Sequence, residues 1–283
     1  MIIWLASYPK SGNTFLRSLL TSYLLTDDGK FDEKKLKEIN QFPNLSLFKN
    51  LGVDTSDDLQ IVKNYVKAQE KINSLDANKI RFIKTHSSLN DINGYKFTDL
   101  KNTLGVIYIV RDPRNVVSSW AKFASQSVEQ AADTMIQSYR FGGDMNKSEK
   151  SLVYMGTWNS NFNSWKSFKD IRRYLLIKYE DLIKDRDLEL RKILKFLCNL
   201  QGVKFQIDQK KFKNVIESTG FERMQKLEKE QGFREAKVNL KTGEKIPFFN
   251  LGPKNDWKKL LDPKIKEKIE KAFKKEMTEL NYL

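Results

Sequence analysis

The chain has 283 residues, of which 40% are hydrophobic and 12% aromatic, so it can bury a large core, and disorder over most of its length is excluded. It is strongly basic, because 51 Lys and Arg residues outnumber 36 Asp and Glu residues, giving a net charge of +15 and a pI near 9.6. Such a balance favours an anionic partner, whether nucleic acid, an acidic membrane or a phosphorylated or sulfated small molecule. Scattered lysines that only keep the surface hydrated would produce the same total.

Membrane and disulfide-stabilised proteins are two classes that the sequence does not fit. No apolar run approaches the roughly 18 residues that cross a bilayer. Residues 1–7 lack the basic leader and the cleavage site of a signal peptide. We therefore expect a cytoplasmic protein with no membrane span. The single cysteine, Cys198, excludes an intramolecular disulfide and a multi-cysteine metal site, and its apolar helical neighbours predict a buried structural thiol.

Short apolar runs alternate along the chain with segments of helical periodicity. The runs that predict buried strands are 2–6, 81–85, 104–110 and 174–179. The segments that predict helices are 13–25, 115–123, 156–168, 188–200 and 263–280. Trp158, Phe162 and Trp165 follow one another at steps of four and three, so we expect one helix face to bury all three in the core. The alternation implies an α/β fold with a central, mostly parallel sheet flanked by helices.

The domain organisation predicted from the sequence is a single domain over residues 1–283. No repeat, low-complexity tract or long linker interrupts the chain. The stretch from Asp27 to Asp76 is polar and weakly patterned, with a loop expected at 54–58. We expect this stretch to form a substrate-facing insertion or a small helical cap.

Residues 7–15, which follow the first predicted strand, have the composition of an anion site. They read SYPKSGNTF, and a small-residue turn before a helix directs backbone N–H groups and the helix dipole at a bound anion. Gly12 allows close approach of the main chain to a phosphate, and Lys10 adds a positive charge. The lysine precedes the glycine, unlike in the G-x-x-x-x-G-K-[ST] loop of nucleotide kinases. An ordinary strand-to-helix turn with an Asn or Ser cap is the alternative interpretation.

A second candidate site follows the strand predicted over 104–110. Arg111 lies at the carboxyl end of that strand, where open α/β sheets bind ligands. Ser119 comes eight positions later, about two turns into the next helix. A guanidinium and a hydroxyl so placed can converge on one phosphate. The alternative is a surface salt-bridge cluster of Arg111, Asp112 and Arg114.

The third candidate is His86, the only histidine of the chain, which follows Lys84 and Thr85 at the end of a predicted strand. A lone histidine is more often a structural residue than a functional one. Here it lies beside a lysine on the sheet edge that carries the other two motifs. We therefore expect it to act as a general base near neutral pH.

Taken together, these motifs resemble the sulfotransferases of the cytosolic type that use 3′-phosphoadenosine-5′-phosphosulfate (PAPS). Six segments match that family in its own order along the chain. They are the 5′-phosphosulfate loop at 8–15, the catalytic-histidine segment at 84–86, the 3′-phosphate motif at 111–119, the strand-end tyrosine at 179–181, an adenine-side segment at 219–224 and the C-terminal glycine-to-tryptophan motif at 252–258.

The resemblance implies a P-loop NTPase-like three-layer sandwich that moves a sulfuryl group from PAPS to a hydroxyl or amine of a small acceptor. The other product is 3′-phosphoadenosine-5′-phosphate (PAP), and no metal is needed. The resemblance further implies an in-line displacement in which His86 takes the acceptor proton, Lys10 stabilises the bridging oxygen and Lys84 contacts the sulfuryl oxygens. The cofactor-binding residues that it implies are Lys10, Ser11, Gly12, Asn13, Thr14, Phe15, Arg111, Ser119, Tyr179, Thr219, Phe221 and Gly252.

Within that set, the resemblance assigns the 3′-phosphate to Arg111 and Ser119 and the adenine to stacking between Phe15 and Phe221. The sequence departs from the family at Phe15, where a tryptophan is frequent, and at 250–251, where Asn-Leu replaces an Arg-Lys pair. Lys254, Arg234 or another basic residue is the candidate substitute for the missing pair. The dimerisation motif of many relatives is not recognisable in 259–270, so the sequence predicts no oligomeric state.

Two other function classes explain parts of the sequence. A P-loop nucleotide-dependent phosphotransferase would need the lysine after a second glycine, and that arrangement is absent. A basic nucleic-acid-binding protein would cluster Lys and Arg beside exposed aromatic residues, whereas here the arginines lie in motifs and the aromatics at core spacing. We therefore expect a small-molecule acceptor and no nucleic-acid partner. The segments expected to line the acceptor pocket are 27–76, 125–148 and 228–247, and their composition does not encode a substrate.

Overall fold

The computed structural model describes residues 1–76, 78–137, 141–142, 153–238 and 243–283. The predicted acceptor-lining segments 125–148 and 228–247 therefore lie partly outside the described residues. The strands are β1 (Ile2–Ala6), β2 (Arg81–Thr85), β3 (Thr103–Val110), β4 (Phe141–Gly142), β5 (Val153–Tyr154), β6 (Tyr174–Lys178), β7 (Lys237–Val238) and β8 (Lys245–Ile246).

Helices make up most of the remaining described structure. The α-helices are α1 (Asn13–Leu25), α2 (Leu45–Lys49), α3 (Asp58–Lys63), α4 (Tyr65–Ser74), α5 (Pro113–Ala124), α6 (Val128–Gln137), α7 (Trp158–Ser164), α8 (Ser167–Asp170), α9 (Tyr179–Lys184), α10 (Arg186–Gln201), α11 (Gln209–Ser218), α12 (Phe221–Gln231), α13 (Trp257–Leu260), α14 (Pro263–Ala272) and α15 (Lys274–Glu279). Two short 3₁₀ helices cover Glu33–Glu38 and Gly252–Lys254. Within the described ranges, no helix is long and apolar enough to span a membrane.

The central sheet consists of four parallel strands in the order β2-β1-β3-β6. The other four strands form two antiparallel pairs, β4 with β5 and β7 with β8. Ala6, the last residue of β1, pairs with Thr85 on one side and with Tyr108 on the other. Because all four strands run the same way, the segments that follow them emerge along one edge of the sheet.

Alternate residues of the central strands enter two separate hydrophobic cores. In β1, Trp4 packs into one core while Ile3 and Leu5 pack into the other, on the opposite face. In β3, Tyr108 and Ile109 divide in the same way. A strand that is apolar on both faces needs helices on both sides, which produces three layers. This confirms the predicted parallel sheet flanked by helices.

Two helices predicted as continuous are broken in the structure, so the predicted bounds 156–168 and 263–280 are wrong. The first divides into α7 and α8 because Trp165 is buried and its indole N–H donates to the carbonyl oxygen of Ser87, 3.0 Å away. The three aromatic residues of that segment lie in one core, as predicted. The second divides at Phe273, whose buried ring packs 5.1 Å from that of Trp158.

The stretch from Asp27 to Asp76 folds into a 3₁₀ helix and the helices α2, α3 and α4, and its role as a substrate-facing insertion or a small cap stays a prediction. Two main-chain hydrogen bonds join this stretch to the central sheet beside β2. The N–H of Phe42 donates to the carbonyl oxygen of Lys84 at 2.9 Å, and the N–H of Lys84 donates to the carbonyl oxygen of Asn40 at 2.9 Å. The expected loop at 54–58 is shorter than predicted, since Asp58 already begins α3. This insertion therefore lies against the strand that leads to the lone histidine.

Cys198 and Tyr179 also differ from their predicted settings. Cys198 lies on α10 and is half-buried, not fully buried, because the outer side of that helix faces solvent. Tyr179 does not close a strand, because β6 ends at Lys178 and Tyr179 is the first residue of α9. Its phenol ring is nevertheless buried at the carboxyl edge of the sheet.

Candidate active site

The loop between β1 and α1, residues 7–12, is called the anion loop below. Two of its residues have backbone angles that favour glycine. Lys10 has a φ of +67° and Gly12 a φ of +100°, both in the left-handed region. A Cβ atom on Gly12 would lie 2.4 Å from the ring of Tyr179, so a side chain is excluded there by contact as well as by conformation. The glycine therefore lets the anion loop pack directly against the start of α9.

We expect Gly12→Ala to lower the melting temperature and to abolish binding of PAP, the nucleotide that the resemblance implies, because the added methyl group must displace the loop or the tyrosine ring. Gly52→Ala is the matched control, since Gly52 also has a positive φ of +70° but no atom within 4 Å of the new Cβ. The free energy of unfolding of the control should fall by only about 1–2 kcal/mol, the cost of placing a residue with a Cβ in the left-handed region. Thermal unfolding and nucleotide titration would measure both variants, and equal behaviour of the two would contradict this packing.

His86 lies at the end of β2, with its ring held against the end of β1. Its Nδ1 lies 2.9 Å from the carbonyl oxygen of Ser7 and 3.1 Å from the hydroxyl oxygen of the same residue. A carbonyl oxygen can only accept, so Nδ1 carries the hydrogen and donates it. In the neutral ring Nε2 is then left with a free lone pair. The geometry thus prepares His86 to accept a proton at Nε2.

Hydrogen bonds on both sides hold this histidine in place. The side-chain amide of Asn161 donates to the carbonyl oxygen of His86 at 3.0 Å, and the hydroxyl of Tyr108 donates to the Asn161 Oδ1 at 2.7 Å. On the other side, Asn13 Nδ2 donates to the Ser7 hydroxyl oxygen at 3.2 Å and to the carbonyl oxygen of Leu5 at 2.9 Å. The amide nitrogen of Asn13 therefore bonds the end of β1, and a role for Asn13 in cofactor binding remains a prediction.

Burial and the charges around His86 keep it neutral. Burial, together with the positive charge of Lys84, holds the pKa of His86 well below its usual value. Burial and the charge of Arg17 also lower the pKa of Lys84, to about 8. At neutral pH the site therefore combines an uncharged imidazole with a lysine that remains mostly protonated.

Arg111 follows β3 and lies across the anion loop. Its Nη1 donates to the carbonyl oxygen of Lys10 at 3.3 Å, and its guanidinium lies 4.3 Å from the ring centroid of Tyr179. The Arg111 Nε and the hydroxyl oxygen of Ser11 are both buried, and neither has a hydrogen-bond partner among the described residues. Buried polar groups normally have partners, so each of these two donors is a candidate for contact with a bound anion.

The alternative interpretation, a surface salt-bridge cluster of Arg111, Asp112 and Arg114, is wrong because Arg111 does not join the ion pairs of Arg114. Arg114 pairs with Asp112 at 2.7 Å and with Glu270 at 2.5 Å, and its guanidinium lies 3.7 Å from the ring centroid of Trp257. This pairing is buried and connects α5 to the C-terminal helices. Arg111 takes no part in it. The structure therefore separates Arg114, which pairs with two carboxylates, from Arg111, which lies across the loop after β1.

The C-terminal motif 252–258 docks on the helix that begins after Arg111. Asn255 Nδ2 donates to the carbonyl oxygen of Asn115 at 2.9 Å, and the N–H of Trp257 donates to the side-chain oxygen of Asn115 at 3.0 Å. Gly252 lies against Phe221, because a Cβ there would be 2.1 Å from the phenyl ring. Asn115, which sequence reasoning did not single out, thus joins two predicted motifs.

The other predicted cofactor residues lie on elements around this edge. Thr14 and Phe15 are buried in the first turn of α1, while Ser119 is half-buried on α5. Thr219 is buried at the end of α11, where its hydroxyl donates to the carbonyl oxygen of Val215 at 2.7 Å. The stacking of Phe15 and Phe221 on an adenine remains a prediction.

Sequence reasoning missed several side chains that meet at the anion loop. Lys10 Nζ lies 4.5 Å from the ring centroid of Phe123 and 4.9 Å from that of Phe248. Glu235 accepts a hydrogen bond from Thr14 at 2.7 Å and pairs with Arg17 at 2.6 Å. These partners are distant in sequence and carry no local pattern. Only the fold brings them together.

Neither residue of the Asn-Leu pair at 250–251 supplies positive charge. Lys254 and Arg234, the candidate substitutes, are both exposed, and the N–H of Arg234 donates to Glu33 at 2.6 Å. Their contribution to phosphate binding remains a prediction. Among the described residues, no group of three or more His, Cys, Asp and Glu side chains could hold a metal ion.

Comparison with known proteins decides which family this geometry represents. Residues 2–281 match the family model described as the sulfotransferase domain. The chain belongs to the sulfotransferase family. This confirms the resemblance derived from the six motifs and the expectation of a PAPS-dependent sulfotransferase enzyme.

Two relatives of this sulfotransferase are distant in sequence but match nearly the whole chain. It is 24% identical to flavonol 3-sulfotransferase of Flaveria bidentis over 277 residues, which cover 96% of this chain and 80% of the relative. It is 22% identical to cytosolic sulfotransferase 10 of Arabidopsis thaliana over 282 residues, which cover 97% and 78%.

Solved structures resemble this sulfotransferase at the level of the fold. Mouse sulfotransferase SULT7A1 complexed with PAP matches with a TM-score of 0.57 and 20% identity, over 98% of this chain and 84% of that chain. Retinol dehydratase in complex with retinol and PAP matches with a TM-score of 0.60 and 16% identity, over 98% and 81%. These likenesses confirm the predicted P-loop-like three-layer sandwich.

Proposed function

We propose that this sulfotransferase moves a sulfuryl group from PAPS to a hydroxyl, or an amine, of a small acceptor and releases PAP. The observation that carries the proposal is the arrangement around His86, whose Nδ1–H is held by Ser7 and whose Nε2 is left as a base. Lys84 lies on the strand that ends just before His86, and the anion loop with Lys10 follows the neighbouring strand. A base and two cations at one anion site suit the transfer of an anionic group.

The residues around the loop fit the proposed cofactor. The Ser11 hydroxyl and Arg111 Nε are buried donors without partners among the described residues, and the 5′ end and the 3′-phosphate of the cofactor would each satisfy one of them. In the proposed arrangement the loop from Lys10 to Phe15 holds the 5′ end, and Arg111 with Ser119 holds the 3′-phosphate. Tyr179, Thr219, Phe221 and Gly252 would surround the adenosine. When bound, PAPS supplies a sulfuryl group on a good leaving group.

The chain's own groups would divide the chemistry among them. His86 Nε2 takes the proton of the acceptor as the acceptor oxygen or nitrogen attacks. In this proposal Lys84 neutralises charge on the transferred group, and Lys10 neutralises charge on the leaving oxygen. Charges aimed at positions where negative charge develops lower a barrier by several kcal/mol in a site that excludes water. This division of roles needs no metal ion.

We infer a small-molecule acceptor, which the names of similar proteins support. One relative is named for flavonols, and retinol dehydratase has been solved with retinol and with androsterone. The insertion at 27–76 lies against β2 just before His86, so we assign the acceptor side to it. We also propose one domain over the whole chain, supported by the family match across 2–281.

Thermal unfolding with PAP, ADP and Mg-ATP in parallel tests the proposed cofactor. We expect PAP to raise the melting temperature and the other two nucleotides to leave it nearly unchanged, because a ligand stabilises the state it binds. Stabilisation by Mg-ATP alone would favour a nucleotide-dependent phosphotransferase. Salt-sensitive DNA binding without a PAP effect would favour a nucleic-acid-binding protein. Transfer of labelled sulfate from PAPS to a panel of phenols, sterols and amines then tests the reaction itself.

A further inference from the structure

Glu235 places a carboxylate at the phosphosulfate end of the proposed donor site. Its Oε2 accepts a hydrogen bond from the Thr14 hydroxyl at 2.7 Å, and its Oε1 lies 2.6 Å from Nη2 of Arg17. Thr14 and Arg17 both belong to the first turns of α1, directly after the anion loop. Glu235 lies far from these residues in the sequence, because it follows α12.

Glu235 supplies the counter-charge for the buried guanidinium of Arg17. The side chain of Arg17 is 3% exposed, and a buried guanidinium without a counter-charge costs several kcal/mol. Although burial acts in the opposite direction, the charges of Arg17 and Lys84 lower the pKa of Glu235 to about 2, so it is ionised at neutral pH. The helix start around Arg17 therefore holds an anion before any ligand arrives.

The carboxylate and a bound phosphosulfate group would compete for the same donor. The Thr14 hydroxyl has one hydrogen, and Glu235 takes it in this structure. Glu235 is also the more accessible partner, with its side chain 29% exposed against 3% for Arg17. The two residues just before it make contacts of their own: Phe233 packs 4.9 Å from the ring of Phe248, and Arg234 bonds Glu33. A side-chain movement can therefore release the helix start.

We propose that Glu235 is an internal counter-anion that occupies part of the phosphosulfate site in the cofactor-free enzyme and that the cofactor must displace it. This inference rests on the proposed function, because it takes the Thr14 end of the loop as the donor site. Displacement lowers the apparent affinity for the nucleotide by the strength of the internal contact. In return, Arg17 is paired in the free protein and can pair with the ligand when Glu235 leaves.

Glu235→Gln tests this inference by isothermal titration with PAP and by thermal unfolding without ligand. We expect PAP to bind at least about fivefold more tightly than to the wild type, within the usual range of couplings between sites. The melting temperature of the ligand-free variant should fall, because Arg17 loses its counter-charge. Opposite signs in the two measurements are the signature, since a merely structural glutamate would lower both stability and affinity. Glu235→Ala removes the contact entirely and should move both quantities in the same directions.

Glu33→Gln is the matched control, because it removes one negative charge from the partner of the neighbouring Arg234 without touching α1. We expect this control to change PAP affinity by less than about twofold, as for other partly exposed charges. An equal gain in both variants would mean that net charge alone acts, and weaker PAP binding to Glu235→Gln would make Glu235 part of the loaded site. Either result overturns the inference. Failure of the wild type itself to bind PAP would instead refute the proposed function.

Discussion

His86→Ala should reduce sulfotransfer from PAPS by at least about a hundredfold, the usual contribution of a general base, while PAP affinity stays close to that of the wild type. The expectation rests on geometry, because the ring is held through Nδ1 by the Ser7 carbonyl and presents Nε2 to the site. Steady-state turnover and PAP titration on the same preparation would measure the two effects separately. Substantial retained activity would remove His86 as the base, and a parallel loss of PAP binding would make its role structural.

The pH profile of the wild type provides an independent readout of the same assignment. The chain has one histidine, so no second imidazole titrates in the acidic range. Because burial depresses the pKa of His86, the base stays neutral as the pH falls through 6.5, and kcat/KM for PAPS should hold steady there. Above a pH of about 8, Lys84 loses its proton, since burial lowers its pKa to about 8, and kcat/KM should decline. On the acidic side, the wild type should lose activity only at a pH well below 6.5, where His86 is protonated, and His86→Gln should lack that decline and keep the alkaline one.

Arg111→Ala should weaken PAP binding by about tenfold to a hundredfold, the loss expected when a phosphate loses a charged hydrogen-bond donor. Adenosine 5′-monophosphate, which lacks the 3′-phosphate, should lose much less. The buried Nε of Arg111 has no partner among the described residues, so a ligand phosphate is the group that it could bind. Titration of both nucleotides against the variant separates the 3′-phosphate contact from general damage to the loop.

Arg173→Ala is the matched control for that variant. Arg173 also donates to a main-chain carbonyl at 3.3 Å, that of Thr103, but it does so at the opposite end of β3. We expect this substitution to leave both nucleotide affinities unchanged. An equal loss of both nucleotides in Arg111→Ala would show that the arginine acts through its contact with Tyr179 and not through the 3′-phosphate.

The central strands β1 and β3 could be predicted because their sequence is apolar on both faces. The runs 2–6 and 81–85 have in the structure the bounds that the sequence predicts, and 104–110 differs by one residue. A fully buried parallel strand needs continuous apolar sequence, so local composition is sufficient to locate it. The helix breaks at Trp165 and Phe273 were not predictable in this way. Each depends on a partner in another element, Ser87 in one case and Trp158 in the other.

The neighbourhood of the candidate site was also predictable in part. Ser7, His86 and Arg111 each follow a strand, and parallel strands bring such residues to one edge. The sequence did not indicate that Asn13 bonds back to β1, because the direction of a side chain depends on what surrounds it. The division between Arg111 and Arg114 likewise depends on Glu270, which lies 156 residues from Arg114 along the chain.

The sequence alone determined the fold class, the order of the motifs and the family, because each of these depends on short segments with their own chemistry. The tertiary structure alone decided which nitrogen of His86 is free, which buried donors have no partner and which carboxylate lies on the anion loop. Glu235 and Thr14 are 221 residues apart, and no local pattern connects them. Contacts of that kind arise only when the packed layers bring distant segments together, and in this protein they set the charge that a cofactor would meet.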